Sequence, residues 1–184
     1  MKIFFLFLAM IILQRFAELV IAKQNEKWMK NHGGVEFGHK HYRIMVGLHS
    51  LFFLFLIGEV YYFNKELSPI WPVLVTFFII TQAGRVWALT SLGRYWNTKI
   101  IVLPNAEVIV KGPYKYLKHP NYVIVTLEFI IIPLLFQAYL TCIVFSLLNI
   151  WILSIRIPEE EKALTKLTTY SQSLGHARRF FPKI

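Results

Sequence analysis

The sequence predicts an all-α integral membrane protein of about five transmembrane helices, and three observations predict it. Of the 184 residues, 56% are hydrophobic, only 16% are charged, and the mean hydropathy is +0.51. Soluble domains average roughly 45–50% apolar and about 25% charged residues, so the solvent for this chain is a bilayer. The apolar residues also gather into runs near the length of a spanning helix, and the charges gather into short blocks between them. A formal charge of +10 raises the question of nucleic acid. Chains that bind nucleic acid are basic and polar together, which this one is not, and no such partner is expected. The single cysteine, Cys142, lies within an apolar run and forms no internal disulfide.

The first run, residues 3–22, is long enough to span. Its opening also has the layout of a signal peptide. Arg15 and Glu18 interrupt the apolar core, however, and the run outlasts such a segment, so it reads as a span. These two residues stand at i, i+3 and can pair on one helix face. Residues 44–63 and 70–89 form the second and third spans. The fourth, 122–135, amounts to about 21 Å of helix against a hydrocarbon core of roughly 30 Å. With the fifth, 139–155, it makes either a shallow hairpin or two full spans, and Pro133 and Gln137 mark the turn. Glu59, Arg85 and Glu128 have no partner that the sequence reveals, and each sits near enough to a span end to snorkel or line a polar cavity.

Charge placement orients the chain. Residues 23–43 hold five Lys or Arg, residues 90–118 hold five, and residues 156–184 hold six, while Lys2 and Lys65 stand alone at the opposite face. The positive-inside rule then puts the N-terminus outside and the C-terminus in the cytoplasm. No linker or internal repeat divides the sequence, so it reads as one membrane-embedded domain over 1–184, with a connector at 90–121 and a tail at 156–184 that includes a C-terminal helix.

Three polar segments remain to build a site, all on the cytoplasmic side. In the connector, residues 100–103 and 107–110 are β-prone runs separated by Pro104 and Asn105, a pattern that predicts a small hairpin. Gly112 and Pro113 break it. Lys118, His119 and Pro120 follow at the mouth of the fourth helix, where Pro suits the first helical position and free backbone N–H groups favour an anion. Lys118, His119, Tyr114 and Tyr122 could ring a small anionic group; the competing reading is an aromatic, basic interface belt. The tail opens RIPEEEKAL, in which Arg156 and Glu160 share a helix face at i, i+4, and the three Glu suit a helix start. Residues 23–43 hold His32, Glu36, His39 and His41, but their spacing matches no zinc pattern and no cysteine is at hand, so no metal is expected. That stretch reads as amphipathic and interfacial, with Trp28 as anchor. Nucleotide-binding and nucleophile-elbow motifs are absent.

GPYKYLKHPNY, followed some 35 residues later by RIPEEEKAL, resembles the isoprenylcysteine carboxyl methyltransferase family, whose marks are GPY, RHPxY opening a membrane hairpin, and RxxxEExxL after it. The resemblance runs from about Thr81 to the terminal RRFFP. The N-terminal part, with NEKWMK, Glu36, His41, Tyr42 and His49, looks like the short bacterial members, some of which are similar to enzymes that O-methylate alkylpyrones made by type III polyketide synthases. The resemblance implies a bacterial plasma-membrane enzyme with an S-adenosylmethionine pocket, S-adenosylhomocysteine as product and a lipophilic acceptor, either a prenylcysteine-type carboxylate or an alkylpyrone-type enol. It places Ala106, Glu107, Val108 and Ile109 along that pocket as a strand, Tyr114, Lys118, His119 and Tyr122 around it, Glu160 holding the cofactor and Arg156 facing the acceptor. Lys99 matches a further cofactor contact. Lys118 stands where the family has Arg, so a point charge replaces a bidentate fork. Two other readings stay open: an NADPH-dependent reductase of the steroid-reductase type, whose turn-then-hairpin plan is similar, and a non-enzymatic membrane scaffold or transporter subunit.

Overall fold

A computed structural model describes residues 1–174 and Arg179. Its helices are α1 (Lys2–Asn31), α2 (His39–Tyr62), α3 (Trp71–Leu92), α4 (Pro120–Leu135), α5 (Tyr139–Leu167) and a short α6 (Tyr170–Leu174). Two strands, β1 (Val35–Phe37) and β2 (Ile100–Val102), pair antiparallel, with Glu36 opposite Ile101. Four helices, α1, α2, α3 and α5, are long and apolar enough to cross a membrane, and α4 is a shorter apolar helix.

Each helix turns one periodic stripe inward. Leu48, Phe52, Leu56 and Val60 of α2 recur every fourth residue, and Phe4, Leu8 and Ile11 of α1 meet them together with Phe129, Ile132, Phe145 and Ile152. Phe52 meets Phe129 edge to face at 4.7 Å, and Phe4 meets Phe136 likewise at 4.9 Å. The opposite faces carry large apolar side chains into the surroundings, among them Leu6, Leu13, Leu54, Ile79 and Ile143. Such a bundle, apolar outside as well as inside, is an integral membrane protein.

Four expectations need correction. The proposed hairpin between residues 100–103 and 107–110 does not form. Ile100–Val102 pairs instead with Val35–Phe37 from the α1–α2 connection, and residues 106–110 run without strand pairing. The tail does not begin a new helix at Arg156, because α5 continues through Pro158 to Leu167. Proline lacks an N–H, so it removes one intrahelical bond there without ending the helix. α4, by contrast, begins at Pro120 as that proline predicts, with His119 as N-cap. The stretch from residue 23 is not one interfacial segment: α1 carries it to Asn31, and Trp28 packs 5.5 Å from the Arg94 guanidinium and edge-on to Tyr95.

The last correction concerns the intramembrane charges. Arg15 and Glu18 do pair, at 2.6 Å, but Arg85 and Glu128 neither snorkel nor stand alone. Glu128 accepts hydrogen bonds from Arg15 Nη2 at 2.6 Å, Gln82 Nε2 at 2.7 Å, Arg85 Nε at 3.2 Å and Arg85 Nη2, while Arg85 Nη1 reaches Glu18 at 3.2 Å. Three helices thus contribute two Arg and two Glu to one neutral cluster, which answers the cost of a lone charge at membrane depth. Glu59 has a separate role. Its carboxylate accepts the backbone N–H groups of Leu140 and Thr141, at 3.1 and 2.7 Å, and the Thr141 hydroxyl, capping α5 from α2.

Candidate functional site

At the end of the bundle where α4 begins and α5 overruns its apolar stretch, the chain forms a cleft that is partly open to solvent. Local sequence explains its walls. Gly112 sits at φ +57, a left-handed conformation suited to glycine, and starts the short 3₁₀ turn Gly112–Lys115. A Cβ there would lie 2.1 Å from Ser91 Oγ and 3.0 Å from Trp87 Nε1, so only glycine lets this turn seat against α3. The turn delivers Tyr114 into the cleft. Residues 106–109 form a strap across it, held at one end by the Asn105 N–H bonded to the Leu167 carbonyl at 2.9 Å and at the other by the Gly112 turn. On the far side, Phe37, Ile100, Val102, Ala163, Leu164 and Leu167 pack the two-stranded ribbon onto the extension of α5.

Of the residues singled out from the sequence, Ala106, Glu107, Val108, Ile109, Tyr114, Lys118, His119, Glu160 and Lys99 all line this cleft. Tyr122 and Arg156 stand just behind it. The Tyr122 hydroxyl donates to Glu160 and accepts from Arg156 Nε at 2.8 Å. Arg156 Nη2 donates to the Thr98 carbonyl at 2.6 Å, and its buried Nη1 has no partner among the described residues. Arg156 is 3% exposed, so this is a buried donor held ready by fixed neighbours. Tyr42, whose hydroxyl lies 3.5 Å from Thr98 Oγ1, belongs to the same group.

His119 stacks on Tyr122 at 5.4 Å and meets Glu161, not Glu160, through Nε2 at 3.1 Å. Burial works to raise the Glu161 carboxyl, but hydrogen bonds from His119 and Arg179 outweigh it and hold it at about 2. Burial, with the charge of Glu160, pushes the Tyr114 hydroxyl upward, so it stays a neutral donor. Lys99 Nζ is bound to Glu26 at 2.7 Å and Glu36 at 3.3 Å, and Lys30 closes the group from the other side of Glu36 at 2.6 Å. Burial opposes the Lys99 charge, yet these two carboxylates raise it overall. The cleft therefore receives Lys99 already neutralised. Lys118 is the freer cation, its Nζ 5.8 Å above the Tyr170 ring.

The sequence did not single out Tyr95, Asn97, Thr168 and Tyr170, which line the cleft, or Thr98 and Glu161, which hold Arg156 and His119. Glu161 stood in a run of three glutamates that spacing alone could not separate. The others lie in turns whose side-chain direction only the fold sets. Among the described residues, His32, His39 and His41 join no cluster suited to a metal: His32 bonds the Trp28 carbonyl and His39 faces Glu36. Of the terminal RRFFP, only Arg179 lies within the described residues.

The profile of the isoprenylcysteine carboxyl methyltransferase (ICMT) family matches residues 73–166, just over half of the chain and the part that contributes α3, the strap, α4 and α5. The chain is 50% identical over 161 residues to the uncharacterised protein YpbQ of Bacillus subtilis (strain 168), covering 88% of this chain and 96% of that protein. It is 28% identical over 160 residues to an uncharacterised protein of Haemophilus influenzae (strain ATCC 51907 / DSM 11121 / KW20 / Rd), covering 86% and 93% respectively. A cleft built from GPYKYLKHPNY and RIPEEEKAL, a family profile running through both, and a half-identical relative matched almost end to end together make this chain a member of the isoprenylcysteine carboxyl methyltransferase family of membrane methyltransferases.

Proposed function

We propose that the chain is an S-adenosylmethionine-dependent O-methyltransferase of the bacterial plasma membrane, with its cleft on the cytoplasmic side, acting on a lipophilic acidic acceptor. The observation that carries this is the convergence of both motifs on one cleft, with an unpartnered Arg156 nitrogen immediately behind it. The donor set suits the cofactor. Lys118 and the α4 N-terminus suit a carboxylate, Glu107 and Glu160 suit an ammonium or hydroxyl, and Tyr95, Tyr114 and Tyr170 offer aromatic faces to a sulfonium, each worth about 0.5–2 kcal/mol. The Tyr170 hydroxyl, buried without a partner among the described residues, is a further donor facing that space.

When bound, S-adenosylmethionine supplies an electrophilic methyl carbon; the C–S bond breaks as the acceptor oxygen bonds that carbon, and S-adenosylhomocysteine leaves. Arg156 Nη1 holds the acceptor oxygen. Tyr122 keeps Arg156 and Glu160 in register, so acceptor and donor are positioned by one hydroxyl. An acceptor ionised at pH 7 needs no general base, and orientation carries most of the rate. The apolar outer faces let a lipid-tailed acceptor approach from the bilayer.

Calorimetry of the purified protein with S-adenosylhomocysteine, wild type against Glu160→Ala, tests the reading. Binding by the wild type, weakened in the variant, supports it. No binding by the wild type refutes it, and preferential binding of NADPH would favour a reductase. Arg156→Ala is expected to lower turnover more than cofactor affinity.

A further inference from the structure

Residues 25–30, NEKWMK, form the C-terminal end of α1 and lie outside the interval 73–166 that the family profile covers. Their side chains meet the connection from α3 to β2, residues 93–99. That connection supplies Tyr95, Asn97 and Lys99 to the cleft, and its Thr98 carbonyl holds Arg156 Nη2 at 2.6 Å. It does little to hold itself. Gly93 leaves α3 at φ +55, and the Trp96 N–H closes one 3₁₀ turn on the Gly93 carbonyl at 3.1 Å. The path from Trp96 to Thr98 is fixed from outside the connection.

α1 does this through three residues. Asn25, only 8% exposed, donates its side-chain amide to the Trp96 carbonyl at 2.7 Å and to the Gly93 carbonyl at 3.2 Å. The Ala22 carbonyl accepts from Asn97 Nδ2 at 3.1 Å, and Glu26 accepts from Lys99 Nζ at 2.7 Å. These ties differ in stiffness. Asn97 and Lys99 reach α1 through side chains of their own, which can follow a displaced backbone. Asn25 grips the backbone itself, and with both amide hydrogens spent on carbonyls three residues apart it sets the tilt of the turn as well as its distance. The Trp96 carbonyl stands two residues before that of Thr98, so a turn released at the first shifts the second. The guanidinium is planar, so the direction of Arg156 Nη1 is set while Nε keeps Tyr122 and Nη2 keeps Thr98. We propose that Asn25 is a positioning residue for Arg156, and through it for methyl transfer, acting by way of the Trp96 and Thr98 carbonyls. The proposal rests on the methyltransferase reading for the task of Arg156, but not for how Arg156 is held.

Two measurements test it. The first is NMR of the arginine side chains of the full chain in detergent micelles, without ligand. Arg156 should give slowly exchanging guanidinium signals, assigned by their loss in Arg156→Lys, as should Arg85, whose side chain is 4% exposed. Asn25→Leu, similar in shape but without the amide, should lose the slow Arg156 signals and keep those of Arg85. Asn25→Ser, which admits a water between the two carbonyls, should fall between. Arg156 signals unchanged in Asn25→Leu, or absent from the wild type, would overturn the proposal. Loss of the Arg156 and Arg85 signals together would overturn it too, by making Asn25 a support of the whole fold. The second measurement is turnover of S-adenosylmethionine with N-acetyl-S-farnesylcysteine and with an alkyl-substituted hydroxypyrone as acceptors. In Asn25→Leu, kcat should fall about 10–100-fold while affinity for S-adenosylhomocysteine stays within about threefold, as expected of a misplacement near 1 Å made at a distance. Adding Asn25→Leu to Arg156→Ala should cost little more, because nothing is left to position; full additivity would overturn the proposal. A wild type that binds no S-adenosylhomocysteine sinks the methyltransferase reading instead, and the arginine spectra then decide on their own whether Asn25 holds Arg156.

Discussion

Replacing Glu128 with leucine removes the acceptor of four hydrogen bonds, two of them from Arg85, one from Arg15 and one from Gln82. Among the described residues, two guanidinium groups then share Glu18 as their only carboxylate. Arg85 cannot escape to water, because its side chain is 4% exposed. Breaking a buried pair by removing one partner costs about 3–5 kcal/mol, most of it the burden of the charge left behind. A position within a membrane gives no reason to expect less, since a lone Arg at bilayer depth costs at least about 2.5–3.5 kcal/mol on insertion scales. Reversible unfolding in mixed micelles should therefore show Glu128→Leu destabilised by about 3–5 kcal/mol. The companion variant isolates the cause. Arg85→Leu with Glu128→Leu leaves Arg15 and Glu18 as a balanced pair, and should be more stable than Glu128→Leu alone despite the second substitution. A cost below about 1 kcal/mol for the single variant, or simple additivity in the double, would refute the account of a neutral, mutually dependent cluster.

Gly112→Ala should destabilise the protein by about 1–3 kcal/mol and weaken S-adenosylhomocysteine binding, because both the left-handed backbone and the 2.1 Å approach to Ser91 Oγ oppose a methyl group; thermal unfolding and calorimetry read the two effects. Tyr122→Phe should reduce methyl transfer while leaving the fold intact, since it releases Arg156 Nε and Glu160 together; single-turnover kinetics alongside thermal unfolding check this. The Glu161 carboxyl is held at about 2, below its ordinary value, so its contribution to stability is full above that ordinary value and lost as pH falls toward 2. Thermal midpoints measured between pH 5 and pH 2 should fall less steeply for Glu161→Gln than for the wild type.

Much of this architecture was legible because a bilayer demands long apolar runs, and the runs mark where the helices cross. They do not mark where the helices stop. α1 and α5 extend well past their apolar stretches to Asn31 and Leu167, since backbone hydrogen bonding continues regardless of whether lipid or water surrounds it. The strand at Ile100–Val102 was visible as β-prone sequence, but propensity carries no information about a partner, and Val35–Phe37 lies some 65 residues away. The same limit hid the Arg15–Glu18–Arg85–Glu128 cluster, whose members are ordinary interruptions in three separate runs. The cleft residues fared better because local backbone requirements, a glycine turn, a proline-led helix and an i, i+4 pair, set most of them in place. Tyr95 and Tyr170 had no such signature.

The cap that Glu59 places on the first turn of α5 makes that helix an indexed rod. Arg156 lies fifteen residues beyond Thr141, about 22 Å along a continuous helix, and Glu160 one turn further. With one end pinned, adding or deleting a single residue between them would turn Arg156 about 100° around the axis, away from Tyr122 and Thr98. The length of this segment, from Thr141 to Arg156, is therefore as much a part of the site as the identity of its residues. Changes in chain length within the family should fall in the connections and avoid this interval.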